Sequence, residues 1–250
     1  MQRVKRRTYS GSVLEQEVYN VEYTRNIGNS QPRPRFQNEE ERAAHKIAIS
    51  RRRHERLVNE NFSPSSIYST LTFDTENEVH TYEEAKYLRD LYCRRLKRKY
   101  PDAVIFLYMG KGKHTNRIHL HMLSEGIPEE YIRSQWKYGS VVDTDHLRTH
   151  NFYNGQDHGQ DYSALANYLF DHWEPAQGTK RWKQTRNTRQ PEKEKAVPVK
   201  RRYSETNPPR TPKGYTLIEV KATKYGYINF KYVRTPEPYT RPGSRRRLKE

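Results

Sequence analysis

One cysteine, Cys93, is present in 250 residues, so an internal disulfide and a multi-cysteine zinc site are both excluded. Apolar runs are short as well. The longest, Ala103 to Met109, has the length of a buried strand and falls well below the ~20 residues of a membrane helix. No membrane partner is expected. The basic start Met1-Gln2-Arg3-Val4-Lys5-Arg6-Arg7 has no apolar segment behind it and does not read as a signal peptide, so the expected location is the cytoplasm. Acidic residues are few beside basic ones: 30 Asp and Glu against 47 Lys and Arg leave a net charge of +17, which calls for an acidic polymer, nucleic acid above all.

The charge is unevenly spread. Residues 1–60 carry 13 Lys and Arg against 8 Asp and Glu, residues 61–176 carry 13 against 16, and residues 177–250 carry 21 against 6. Phosphate grip is therefore expected mainly in the C-terminal third. With hydrophobic content of 32%, one core with polar extensions is expected.

Residues 1–38 show no sustained period and are expected to form a mobile arm without a fold, followed by a charged helix from Glu39 to about Asn59. Ser66 to Phe73 alternates with period two, as a strand does. Thr81 and Glu84 form a capping box, and Ala85, Leu88, Leu91, Tyr92 and Leu96 mark one face of a helix that Pro101 stops. Val104 to Met109 and Arg117 to Leu123 read as a β-hairpin, Pro128 to Trp136 as a helix, and Gly139 to Thr144 as a short strand. The fold class is α+β: a split βαββαβ, ferredoxin- or RRM-like antiparallel sheet with helices on one face. Asp161 caps one more helix, whose inward stripe is Leu165, Leu169 and Trp173 and which carries Tyr168. The expected organisation is a basic arm and helix over 1–60, the central domain over 61–190, a linker over 191–213, a β-hairpin over 214–235 and a basic tail over 236–250, with Arg245-Arg246-Arg247 disordered.

Ile118-His119-Leu120-His121-Met122 carries the chemistry. Side chains alternate along a strand, so His119 and His121 share one face while their apolar neighbours take the other. Neutral imidazoles suit divalent metals. A His-x-His pair alone also fits a solvated sheet face. Parity then puts Ile67, Leu71 and Phe73 with Leu120 beneath the helices and leaves Tyr68, Thr70, Thr72 and Asp74 beside the histidines, with Asp74 as candidate third ligand and Thr70 and Thr72 as candidate DNA contacts. Tyr168 is the candidate nucleophile; Tyr162 and Tyr153 are the alternatives, and a packing role stays open. His172, one turn later, can orient it. His146 and His150 have i,i+4 spacing but no third ligand nearby, and read as exposed polar residues. Lys180, Arg181, Trp182, Lys183 and Arg186, like Lys224-Tyr225-Gly226-Tyr227, interleave cations with rings, the pattern that grips a single strand; a nonspecific tether is the alternative.

Three motifs in this order resemble the HUH superfamily of single-strand DNA endonucleases, specifically replication initiators of rolling-circle plasmids and phages: Ser69-Thr70-Leu71-Thr72-Phe73, His119-Leu120-His121 and Asn167-Tyr168-Leu169. Coverage runs from about Arg51 to Pro191. The resemblance implies a metal-dependent nick in one strand at a replication origin, with Mg²⁺ or Mn²⁺ as cofactor, a 5′-phosphotyrosine on Tyr168, and a host helicase and polymerase as partners. No Gly-x-x-x-x-Gly-Lys-Ser/Thr loop for ATP is found. Two departures stand out: many relatives carry a lysine where this chain has Asp171, and a carboxylate near Met109 or Gly110, where it has none. The competing classes are a non-catalytic RRM-like single-strand binding module and an initiator that binds its origin without cutting.

Overall fold

A computed structural model describes residues 2–24, 28–30, 38–112, 115, 117–139, 142–172, 180–223 and 226–237. The expectations for Trp173, Lys224-Tyr225 and Arg245-Arg246-Arg247 lie outside these residues. In chain order the elements are β1 (Gln2–Ser10), β2 (Val13–Thr24), β3 (Gly28–Ser30), α1 (Glu39–Asn61), β4 (Ile67–Thr72), α2 (Tyr82–Lys99), β5 (Val104–Lys111), β6 (Ile118–Glu125) and α3 (Glu129–Gln135). There follow β7 (Val142–His146), β8 (Phe152–Tyr153), β9 (Gln156–Asp157), α4 (Ser163–Asp171), β10 (Trp182–Gln184), β11 (Glu192–Lys193), β12 (Val197–Pro198), β13 (Tyr215–Ala222) and β14 (Ile228–Arg234). The class is α+β with antiparallel sheets.

The period-two pattern of β4 becomes a burial pattern, with Ile67, Ser69 and Leu71 buried and Tyr68, Thr70 and Thr72 half-buried. β4 lies between β6 and β7 in a sheet ordered β10-β5-β6-β4-β7. On one face Ile67, Leu71, Ile105, Leu107, Leu120 and Met122 pack against Ala85, Tyr92, Cys93 and Leu96 of α2 and Ile132 of α3. The capping box of Thr81 and Glu84 starts α2 as expected. Burial of side chains this size is what holds such a core: truncating a fully buried Leu120 to Ala would cost about 2–5 kcal/mol.

The opposite face is not open, which corrects the expectation of helices on one side only. Phe106, Tyr108 and Leu123 are buried there beneath Leu57 and Val58 of α1 and Ala166 and Leu169 of α4. The apolar residues of β5 that make this possible sit at alternate positions in a run that is apolar on both faces.

The N-terminal arm is also corrected. β1 and β2 form a long hairpin, and β14 pairs with β2, so that the first and last described segments share a second sheet ordered β11-β1-β2-β14-β13. The expected linker contributes β11 and β12, both paired to β1. Leu14, Val18, Ile228, Phe230 and Tyr232 form a core on one face of this sheet. Its other face carries a small apolar cluster of Val4, Tyr19 and Val21 and a charged patch that meets α1, where Arg56 bonds Glu15 and Glu17 and Arg6 lies 2.6 Å from Glu17. Gly11, at the β1–β2 turn with φ +56°, lies so close to α1 that an added Cβ would stand 2.1 Å from the Asn59 carbonyl oxygen.

Candidate metal centre and tyrosine helix

β6 presents His119 and His121 on the face that α1 and α4 cover, in register with Gly110 and Tyr108 on one side and Thr72 and Thr70 on the other. The imidazoles therefore sit at the margin of a core: His121 is buried and His119 half-buried. Burial, and then the neighbouring His119 and His172, push His121 down to about 3, and burial lowers His119, so both rings are neutral and keep lone pairs for a metal. The Tyr68 hydroxyl lies 2.7 Å from His121 Nδ1 and Thr70 Oγ1 lies 3.3 Å from it, which leaves Nε2 facing inward.

The third imidazole comes from His172, which caps the C-terminal end of α4. His172 Nε2 is 2.9 Å from His119 Nε2, which is itself 3.1 Å from His121 Nε2, and ligand atoms of all three residues lie within 4.8 Å of one another. Tetrahedral metal–nitrogen bonds of about 2.0–2.1 Å put their nitrogens roughly 3.3 Å apart, so the cluster is dimensioned for one ion. Space for His172 exists because position 110 has no side chain: an added Cβ there would stand 2.3 Å from His172 Cδ2 and 2.5 Å from His119 Nε2.

Asp74 does not join the cluster. After Thr72 the chain is held by the 136–139 loop, through Trp136 Nε1 to the Thr72 carbonyl at 2.9 Å and Asp74 N to the Tyr138 carbonyl at 3.0 Å. The Asp74 carboxylate instead accepts from the backbone and side chain of Asn77. Those bonds lower its pKa.

α4 is aimed by its surroundings. Buried Asn59 of α1 accepts from Tyr162 N at 2.8 Å and donates to Ser163 Oγ, while Lys231 Nζ binds the same Ser163 hydroxyl at 2.6 Å and Asp161 at 2.7 Å. The cap position falls on Tyr162, which makes no side-chain cap bond, and not on Asp161 as expected; Asp161, one residue earlier, accepts from Ser163 N at 3.0 Å. Leu169 and Ala166 face the core, and Tyr168 emerges 48% exposed, its ring 4.9 Å from that of His172 and 5.8 Å from that of His121. Burial and a hydrogen bond with Tyr168 help push the Tyr68 phenol up to about 12.

Two guanidiniums flank the far end of α4. Arg51 binds Asp171 through two 2.6 Å bonds and reaches Asn167 Oδ1 at 3.3 Å, and Arg181 donates to the Phe170 carbonyl at 3.2 Å. Both stack on the Phe170 ring, at 4.8 and 4.7 Å.

The other expected residues fall elsewhere. Tyr162 is buried and donates to the Arg148 carbonyl, so it is not available to attack. Trp182 packs on His54 at 4.6 Å rather than offering its ring to a base, and Lys183 lies on the α2 side of the sheet, paired with Asp90 at 2.8 Å. Lys180 and Arg186 are exposed. His146 is exposed and His150 bonds Asp157; neither joins a ligand cluster among the described residues.

In the sequence His172 is legible only as an accessory, Tyr68 only as a neighbour of the histidines, Arg51 only as part of a basic run that touches DNA or solvent, and Gly110 has no role. The four-residue step from Tyr168 to His172 was the available signal, since it puts both on one helix face. Comparison with protein-family models, curated proteins and solved structures gives no match to this chain.

Proposed function

We propose that this chain nicks single-stranded DNA and transfers the cut strand, as HUH replication initiators do, with Tyr168 as nucleophile. The observation that carries the reading is that α4 supplies, from its C-cap His172, an imidazole to the three-histidine cluster and, one turn earlier, a half-exposed phenol in ring contact with two of its members. The order β5-β6-β4-β7 within the first sheet is the one a split βαββαβ unit would have, which supports the same reading. A non-catalytic RRM-like module would place stacking rings on the central strands, where this chain has His119 and His121.

A divalent cation held by His119, His121 and His172 would draw charge from the scissile phosphate. Three nitrogen donors fit Mn²⁺, Co²⁺ or Zn²⁺ better than Mg²⁺, which prefers oxygen. Tyr168 Oη attacks phosphorus and gives up its proton to solvent. The bond from phosphorus to the 3′ oxygen breaks, and that oxygen leaves with a proton as a 3′ hydroxyl. The energy of the phosphodiester is kept in the tyrosine ester, so no ATP is consumed. Arg51 and Arg181 bring positive charge to the turn where the resemblance places a lysine, beside the path of the phosphates. At a replication origin the freed 3′ end would prime a host polymerase behind a host helicase.

The test is incubation with labelled single-stranded oligonucleotides spanning candidate origins and Mn²⁺ or Mg²⁺, followed by denaturing electrophoresis. A covalent adduct is expected with the parent chain, lost on Tyr168→Phe and on EDTA treatment. An adduct that persists in Tyr168→Phe would overturn the assignment of the nucleophile, and no adduct under any condition would overturn the enzyme.

A further inference from the structure

Between β7 and α4 the chain makes a two-residue hairpin, β8 and β9, whose turn is Asn154-Gly155 with φ of +49° and +77°. Both residues in the left-handed region give the tight turn that matches strand twist, so the tip is stiff. Its aromatic residues are nevertheless more exposed than buried, with the Tyr153 ring 5.9 Å from that of His158. Phe152 is 57% and Tyr153 63% exposed, and Tyr153 is the most exposed large hydrophobic side chain among the described residues. Successive strand positions point to opposite sides, so the ribbon shows a ring on each flank. At the turn itself a Cβ added to Gly155 meets nothing within 4 Å, while Gln156 beside it donates to the Leu217 carbonyl at 3.3 Å.

The base of the hairpin is locked. Asn151 and His158 bond through His158 N to the Asn151 carbonyl at 2.8 Å, Asn151 N and Nδ2 both reach the Gly159 carbonyl, and His150 Nδ1 lies 2.7 Å from Asp157. Both feet also rest on the head of α4, where Tyr162 donates to the Arg148 carbonyl and Asp161 N donates to the His158 carbonyl at 3.1 Å. Tyr168 lies about 9 Å along the helix from Tyr162 at 1.5 Å per residue. Finger and nucleophile thus share one mount.

We propose that the β8–β9 hairpin is a base-stacking finger, with Phe152 and Tyr153 packing against unpaired bases of the strand presented to Tyr168. This rests on the reading above that the substrate is single-stranded DNA. Rings held in one orientation lose little entropy on stacking and every base offers a face; the chain's net charge of +17 attracts phosphates from a distance, though its excess lies outside this segment, and exposed Arg148 stands at the foot of the hairpin.

The test measures binding without cutting: fluorescence anisotropy of a labelled oligothymidylate in EDTA, with full-length chain. Phe152→Ala and Tyr153→Ala should each raise Kd by roughly 5- to 150-fold, the range given by loss of one stacked base. Phe152→Trp and Tyr153→Phe should bind as the parent does, Phe152→Leu should bind as weakly as the alanine variant, and a fully abasic oligonucleotide should bind all of them alike. Unchanged Kd in both alanine variants overturns the proposal, as does full binding by Phe152→Leu, which would mean that apolar bulk and not a stacked ring holds the strand. Failure of the nicking reading looks different: ring-dependent binding with no adduct on Tyr168. Both substituted side chains are exposed, so circular dichroism should show the fold intact.

Discussion

His172 stands directly over Gly110, in the space a β-carbon at position 110 would fill. Gly110→Ala should therefore expel the His172 imidazole, because a contact of 2.3 Å to its Cδ2 cannot be absorbed without moving the ring or the strand. Titration calorimetry with Mn²⁺ or Co²⁺ should show affinity falling at least tenfold, toward that of His172→Ala. Equal affinity in Gly110→Ala and the parent would remove His172 from the ligand set.

Much of the central sheet was legible because its two periodicities are clean. Ile67, Leu71 and Leu120 reach the α2 face that parity assigns them, and Tyr68 and Thr70 reach His121. Asp74 obeyed parity only as long as the strand lasted; beyond Thr72 the hydrogen bonds of Trp136 and Tyr138 steer the chain, and those are tertiary contacts that no local pattern contains. The N-terminal hairpin was missed for a related reason. Arg6, Glu15, Glu17 and Arg56 neutralise one another across an interface made by distant segments, so a stretch that reads as polar and unstructured is in fact paired and half-buried. The histidine pair was visible, while its third member depended on a helix 50 residues away finding a gap above a glycine.

Loaded with metal, the chain should melt higher. An ion that binds only the folded cluster stabilises it by about 2.7 kcal/mol at a hundredfold excess over Kd, which is a rise of roughly 5–10 °C at about 2–4 °C per kcal/mol for a chain of this size. Differential scanning fluorimetry with and without Mn²⁺ should show this rise in the parent. The rise should vanish in His119→Ala and His121→Ala and persist in His80→Ala, whose histidine lies outside the cluster. A rise retained in His119→Ala would place the ion elsewhere.

Arg51→Ala should separate positioning from stability. Its side chain is 31% exposed and that of Asp171 57%, so the ion pair itself contributes about 0–1 kcal/mol. The same guanidinium, however, fixes Asn167 and Asp171 on either side of Tyr168. Adduct formation should slow about tenfold or more while the urea midpoint barely moves. Arg51→Lys should recover only part of the rate, since an ammonium cannot make the paired bonds of the fork. Parallel losses of rate and stability would instead make Arg51 a structural residue.

Acid should loosen the joint between the second sheet and α1 before it reaches the cores. Burial alone would raise the Glu17 carboxyl, but Arg56 and Arg6 outweigh it and hold the group at about 2, against 4.5 for a free glutamate. A depressed folded-state value means that the stabilisation is complete above about pH 4.5 and drains away as pH falls toward 2. Its size is on the order of 3 kcal/mol at neutral pH, at 1.36 kcal/mol per pKa unit. Asp161, buried and held low by Lys231 despite its burial, acts in the same direction. Urea midpoints measured from pH 7 to pH 2.5 should drop through this window. Glu17→Gln should start lower at pH 7, because Arg56 and Arg6 lose a buried partner, and then fall less steeply. A parallel pH profile in that variant would mean that the acid sensitivity belongs to other carboxylates.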